Sequence, residues 1–243
     1  MKKTLLLLAL LMPALASGQN APPNKEVRVI PLGQLPQWVQ AGIKEGIRDP
    51  QPLVPGSMPP ANLSAPNGKG DIQTAALNLN TISGAMMFGP KVAKLDFHEG
   101  ELAAGAPWLA SPMPASAKSI ALLYRDHKLM SWNNPKMLLL DDGKDVFPAG
   151  TIRFVNVSDL PVVVEVGKSG LKRVAPQKSL ILPLNPGVNT LMVGYSDQGE
   201  KVFAFPKNTI NAPGNQRVQA FIYKAQDKRA KKKVLFHWTP ELP

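Results

Sequence analysis

Lys224, Lys228, Arg229, Lys231, Lys232 and Lys233 crowd one short stretch near the end of the chain, offset locally only by Asp227. Groups of this kind make contacts and do not break bonds: ammonium and guanidinium charges attract an acidic surface. The alternative is a solvated hairpin tip whose charges keep a sheet edge from pairing with its neighbours. Trp108, Trp132 and Trp238 are the other candidates. Set in a shallow row they would stack on sugar rings; buried, they would pack the ends of a sandwich core.

Reactive constellations are thin. Gly194-Tyr195-Ser196-Asp197-Gln198-Gly199 lacks the second glycine of a nucleophile elbow at the right place, so Ser196 and Asp197 read as turn-capping residues. With no cysteine there is no thiol nucleophile and no cupredoxin-type copper site. No phosphate loop or dinucleotide fingerprint occurs. His98, His127 and His237 stand far apart and would ligate a metal only if strands brought them together. Asp96 with Glu99, or Asp141 with Asp142, could be proposed as the carboxylate pair of a glycosidase. Both read better as turn or hairpin-end text, above all Asp141-Asp142-Gly143. Met86, Met87, Met137 and Met192 sit in apolar runs as core filler. The expectation is a protein without catalytic residues, metal or cofactor.

The elements that must position the lysines and tryptophans are strands. Between Gly150 and Asp197 short apolar runs (Thr151 to Ser158, Val162 to Val166, Ser179 to Leu182, Thr190 to Tyr195) are each bounded by Pro, Gly, Asn or Asp. That is β-meander text. Further strands are expected at Ala75 to Asn80, Ala85 to Phe88, Lys91 to Phe97, Ser119 to Tyr124 and Lys136 to Leu140. After the central stretch come Lys201 to Phe205, Arg217 to Tyr223 and Lys233 to Trp238.

Ahead of them, ten of the 25 prolines fall between Pro22 and Pro66, as in an extended arm or an irregular wrap. Within this arm Val27 to Ile30 could add a strand to a sheet edge. Gln37 to Asp49 could form a short helix, with Val39, Ile43 and Ile47 on one face and Pro50 ending it, although Gly42 and Gly46 weaken it.

Leu77 to Ser83 lines up with Arg153 to Ser158, and Ser119 to Asp126 with Thr190 to Asp197, where both copies end Tyr-x-Asp. The fold class expected is therefore all-β: two tandem β-sandwich domains, or one larger sandwich, after the proline-rich arm. The divisions are residues 1–16, 17–70, 71–145 and 146–243. Asn80 and Asn156 should satisfy backbone groups where strands turn. Asn156 to Gly187, with its Asn-Val-Ser, Pro-Val, alternating valines and Pro-Gly, resembles the start of small immunoglobulin-like modules of exported bacterial proteins. The resemblance implies a fold and no ligand.

Met1-Lys2-Lys3-Thr4, the run Leu5 to Met12 and Ala14-Leu15-Ala16 read as a secretory signal peptide cleaved after Ala16. No other stretch is long and apolar enough for a transmembrane helix. The expected location is periplasmic or extracellular, soluble or peripherally attached to the envelope. Formal charge is +11, and removal of Lys2 and Lys3 leaves 26 basic residues against 17 acidic, or +9. This balance suits an acidic envelope polymer or another envelope protein, while export argues against nucleic acid. The functional expectation is an exported, non-enzymatic structural or interaction module of the envelope. A carbohydrate-binding module using the tryptophans, and a periplasmic chaperone for pilus subunits suggested by size, high pI and two immunoglobulin-like domains, are the alternatives.

Overall fold

The computed structural model describes residues 23–36, 40–44, 47–50, 53–100, 105–126, 128–129, 131–197, 199–226 and 230–243. The expected signal peptide, Trp38, His127, Lys228 and Arg229 lie outside the described residues. The described residues contain strands and no helix. They are β1 (Lys25–Leu32), β2 (Gln40–Lys44), β3 (Ile47–Pro50), β4 (Asn62–Pro66), β5 (Ile72–Ala76), β6 (Met86–Phe88), β7 (Lys94–Glu99), β8 (Leu109–Pro112), β9 (Lys118–Arg125) and β10 (Pro135–Asp141). The second half adds β11 (Thr151–Asn156), β12 (Val162–Val166), β13 (Lys172–Val174), β14 (Lys178–Pro183), β15 (Gly187–Asp197), β16 (Glu200–Ala212), β17 (Arg217–Lys224) and β18 (Val234–Glu241).

Sixteen of the described strands form four sheets of four, in the orders β10-β9-β1-β6, β5-β4-β7-β8, β14-β11-β17-β18 and β13-β12-β15-β16, and β2 and β3 pair with each other. None closes into a barrel, and the architecture is a sandwich-type all-β fold. The first two sheets enclose one core, built around Leu63, Phe88, Leu95, Phe97 and Trp132. The other two enclose a second, built around Ile152, Phe154, Val164, Leu191 and Val193. Alternation along each strand explains this: Val27 and Val29 of β1, like Ile152 and Phe154 of β11, point into their own cores.

The Gln37 to Asp49 helix is not formed. β2 and β3 pair there as an antiparallel hairpin, with Ile43 opposite Arg48 and Lys44 opposite Ile47. Gly42 lies inside β2, and a chain with two glycines and a terminal proline in this window gains too little from helix to hold it.

The segment read as an arm contributes a central strand. β1 does not add to an edge; it lies between β9, to which it runs parallel, and β6, to which it runs antiparallel. β11 occupies the same place in the second half, parallel to β17 and antiparallel to β14. Strand for strand, β10-β9-β1-β6 corresponds to β18-β17-β11-β14, and β5-β4-β7-β8 to β13-β12-β15-β16. The internal repeat is therefore structural, but its register differs from the one expected: β9 matches β17, not β15.

Candidate functional site at the seam between the two sandwiches

The matching sheets face each other. Ile30 and Leu32 of β1, Ile120, Leu122 and Tyr124 of β9 and Leu140 of β10 pack against Val155, Val157, Phe221 and Tyr223 of the second sandwich. β9 and β11 are consequently buried on both faces. This accounts for the unbroken apolar run Ile120–Tyr124 of β9, since a strand with no wet face needs no polar alternation. Because both halves use the same face, the packing across the seam has the pseudo-two-fold character of an isologous dimer.

One end of the seam is charged. Asp142, directly after β10, is almost fully buried and takes ion pairs from Arg28, from Arg153 at 3.0 Å and from Arg217 at 2.9 Å. Glu241, its counterpart at the end of β18, pairs with Arg28 at 2.7 Å and with Arg217 at 3.5 Å. Gln219 accepts from Arg153 Nε at 3.0 Å and donates to Asp142 at 3.2 Å. Arg217 also donates to the Phe147 carbonyl at 3.0 Å, and the Phe147 ring lies 4.3 Å below the Arg153 guanidinium and 4.8 Å below that of Arg217. Burial pushes Arg153 down to about 10, partly offset by Asp142. Burial also acts against the charge of Arg28, but Glu241 and Asp142 outweigh it and hold that guanidinium above its ordinary value. Three cations and two anions, dry and mutually hydrogen-bonded, form a lock: removing any one member strands the others in a low-dielectric site.

The other end is held by neutral groups. The Tyr124 hydroxyl donates to the Gln177 side-chain oxygen at 2.5 Å, and Tyr223 holds the equivalent position on β17. Burial raises the pKa of both tyrosines, so both hydroxyls stay protonated near neutral pH. Asn80 also caps the end of β1, accepting from Gly33 N at 3.1 Å and donating to Gly33 O at 2.9 Å. Asn156 serves a turn in the same way, donating to the carbonyls of Leu160 and Val174 and accepting from Ser158.

The lysine-rich connection between β17 and β18 lies beside this end. Lys224 is tied to Asp159 at 2.5 Å and Lys233 to Asp197 at 2.7 Å. The Asp197 hydrogen bond raises the pKa of Lys233. Lys232 sits 4.3 Å over the Phe205 ring, and both Lys231 and Lys232 are exposed. Gln34 and Gln226 stitch the tip to the first sandwich through reciprocal backbone-to-side-chain bonds of 3.3 and 2.7 Å.

The tryptophans are divided between two cores. Trp132 is fully buried, and its carbonyl accepts from the Trp108 indole at 3.1 Å. Trp108 is half-buried against that same core, whereas Trp238 packs on the other. A buried ring has no face to offer a sugar, so the three do not make one stacking platform. His98 is on β7 and His237 on β18, at the seam. Among the described residues no three His, Cys, Asp or Glu side chains are placed to hold a metal ion. No helix among them is long and apolar enough to cross a membrane.

The seam residues were missing from the sequence-based candidates although a signal was present. Val27-Arg28-Val29-Ile30-Pro31-Leu32-Gly33-Gln34-Leu35-Pro36 aligns without gaps to Ile152-Arg153-Phe154-Val155-Asn156-Val157-Ser158-Asp159-Leu160-Pro161. That match puts Arg28 with Arg153 and marks both as outward-facing in an otherwise apolar strand. Asp142 was hidden by its neighbour. Asp141 does the turn work, accepting from Gly143 N at 2.9 Å, while Asp142 turns inward to the arginines. No protein-family model matches the chain, and no curated protein matches it at a significant level.

Proposed function

We propose that this is an exported, non-enzymatic interaction module that docks on an acidic partner of the cell envelope through the tip between β17 and β18. The observation carrying this reading is that Lys231 and Lys232 stand exposed on a tip whose base is fixed. Lys224 and Lys233 are neutralised by Asp159 and Asp197, and Gln226 is clamped by Gln34. Two cations on a preorganised support lose less entropy on binding than two on a loose loop. The charge of +9 left without Lys2 and Lys3, 26 basic residues against 17 acidic, draws acidic polymers in over longer range. The Lys-Lys start and the apolar run behind it support export, and the immunoglobulin-like likeness supports a binding role over a catalytic one.

The test is retention of the chain on envelope fractions and on acidic polysaccharide at low and high salt, beside Lys231→Gln/Lys232→Gln. Retention that falls with salt and with the substitutions supports the reading. Salt-resistant capture of one protein partner would favour assembly or chaperone work instead.

A further inference from the structure

We propose that the cleft at the Tyr124 end of the seam binds an acidic sugar unit, a hydroxylated ring carrying one carboxylate. This rests on the reading that the partner is an acidic polymer and states that polymer's chemistry.

The starting point is a difference between two places that the repeat makes equivalent. At the Tyr223 end, Gln34 and Gln226 close the seam over one another, and the flanking positions are the apolar Ala225 and Leu235. At the Tyr124 end, Asp159 stands where Gln34 does, Asp126 where Ala225 does and Lys136 where Leu235 does. Here the seam opens into a cavity of about 460 Å³, within the range of small-ligand sites. The cations Lys224 and Arg125 occupy equivalent positions, so what distinguishes the place beside Tyr124 is the charge of Asp126, Lys136 and Asp159.

The lining specifies the ligand. Lys128, Lys136 and Lys224 bring ammonium groups to the cleft, where Lys136 pairs with Asp126 at 3.3 Å and Lys224 with Asp159 at 2.5 Å, so a ligand carboxylate would compete with these aspartates while its hydroxyls donate to their remaining lone pairs. The lysine stems supply apolar wall for the face of a ring, over the edge of the buried Tyr124. In the Lys136–Asp126 pair, at 3.3 Å, the lysine is exposed and the aspartate partly buried, and a pair open to solvent on one side is weak, so an incoming carboxylate competes with Asp126 for Lys136. A phosphate group fits less well. Its second negative charge would face two carboxylates, and lysines lack the planar fork that reads phosphate in pairs. A neutral sugar would leave the ammonium groups without the carboxylate that they are placed to meet.

The experiment is calorimetric titration of the full chain with trigalacturonate, with neutral trigalactose and inorganic phosphate as separate arms. The variants are Lys136→Gln/Lys224→Gln, Lys128→Gln alone, and Lys231→Gln/Lys232→Gln, each checked for an unchanged circular dichroism spectrum. The single Lys128→Gln exchange keeps the test open if the double variant does not fold. The expected result is binding of trigalacturonate that weakens tenfold or more in the cleft double variant and at least threefold in Lys128→Gln. It should stay within twofold in the tip variant and be at least tenfold weaker for trigalactose. Absence of trigalacturonate binding, loss that follows the tip variant, or phosphate competing as well as the uronate would overturn the proposal. If the polymer is retained through the tip while trigalacturonate is silent, the cleft proposal fails and the tip reading stands. If neither binds, both fail.

Discussion

The Tyr124 hydroxyl of the first sandwich reaches across the seam to the Gln177 side chain of the second at 2.5 Å. Asn80 and Gln177 are the two described non-glycine residues with left-handed backbone, at φ 61° and 60°. Each follows the same hydrogen bond, Asn80 N to Pro31 O and Gln177 N to Asn156 O. Left-handed backbone in a side-chain-bearing residue costs about 1 kcal/mol or more. Gln177 is held there by its bond to Tyr124 across the seam, and Asn80 by its two bonds to Gly33 at the end of β1.

Tyr124→Phe should lower unfolding free energy by about 1 kcal/mol, the usual worth of one hydrogen bond. In a Gln177→Ala background the same exchange should cost much less, because its partner is already gone. Urea unfolding of the four proteins measures the coupling. Equal costs in the two backgrounds would mean that the contact contributes nothing.

Asp142→Asn should destabilise the protein by about 3–5 kcal/mol, since it leaves Arg153 and Arg217 buried beside a neutral amide. Glu241, which is less buried and pairs with Arg217 at a longer distance, should cost less when changed to Gln. Denaturant midpoints check the order, and a larger loss for Glu241→Gln would reverse the assignment of Asp142 as hub.

Acid should loosen the seam through His237. Its Nε2 is buried without a partner, and burial holds its pKa below the ordinary 6.5. Above pH 6.5 the imidazole is neutral in both folded and unfolded chains and stability does not depend on it. As pH falls below 6.5 the unfolded chain takes the proton first, so stability declines until the lowered folded pKa is passed. His237→Gln should flatten the stability profile between about pH 6.5 and 5, above the carboxylate range. An unchanged slope in thermal unfolding across that window would show that His237 is not responsible.

Lys231→Gln/Lys232→Gln should lower the salt concentration that elutes the chain from a polyuronate column, with stability changed by no more than about 0.5 kcal/mol. Lys233→Gln removes a cation already paired with Asp197 and should shift elution by less than half as much as the double change. A shift half as large, in proportion to the charges removed, would mean that net charge alone sets retention.

Much of the fold was legible in residue order because strands and turns are local. Runs such as Val162 to Val166 declare themselves through β-branched residues, and prolines and glycines mark their ends. The seam was harder to see. Ile120 to Tyr124 reads as one apolar run whether one or both faces are covered, so periodicity could not say that β9 touches two cores. The shared ending Tyr-x-Asp drew β9 toward β15, whereas pairing geometry places it with β17, where Tyr124 corresponds to Tyr223. The proline-rich surroundings of β1 disguised a central strand as an arm. The fate of the lysines was out of reach of spacing alone, because Asp159 and Asp197, which neutralise two of them, are 65 and 36 residues away.

The central claim is that two sandwiches joined through the same face behave as one block, and differential scanning calorimetry of the full chain tests it most directly. The prediction is one cooperative endotherm with a calorimetric to van't Hoff enthalpy ratio of about one, lowered in midpoint by Asp142→Asn. Two separate transitions in the unaltered chain, with Asp142→Asn moving neither, would contradict it.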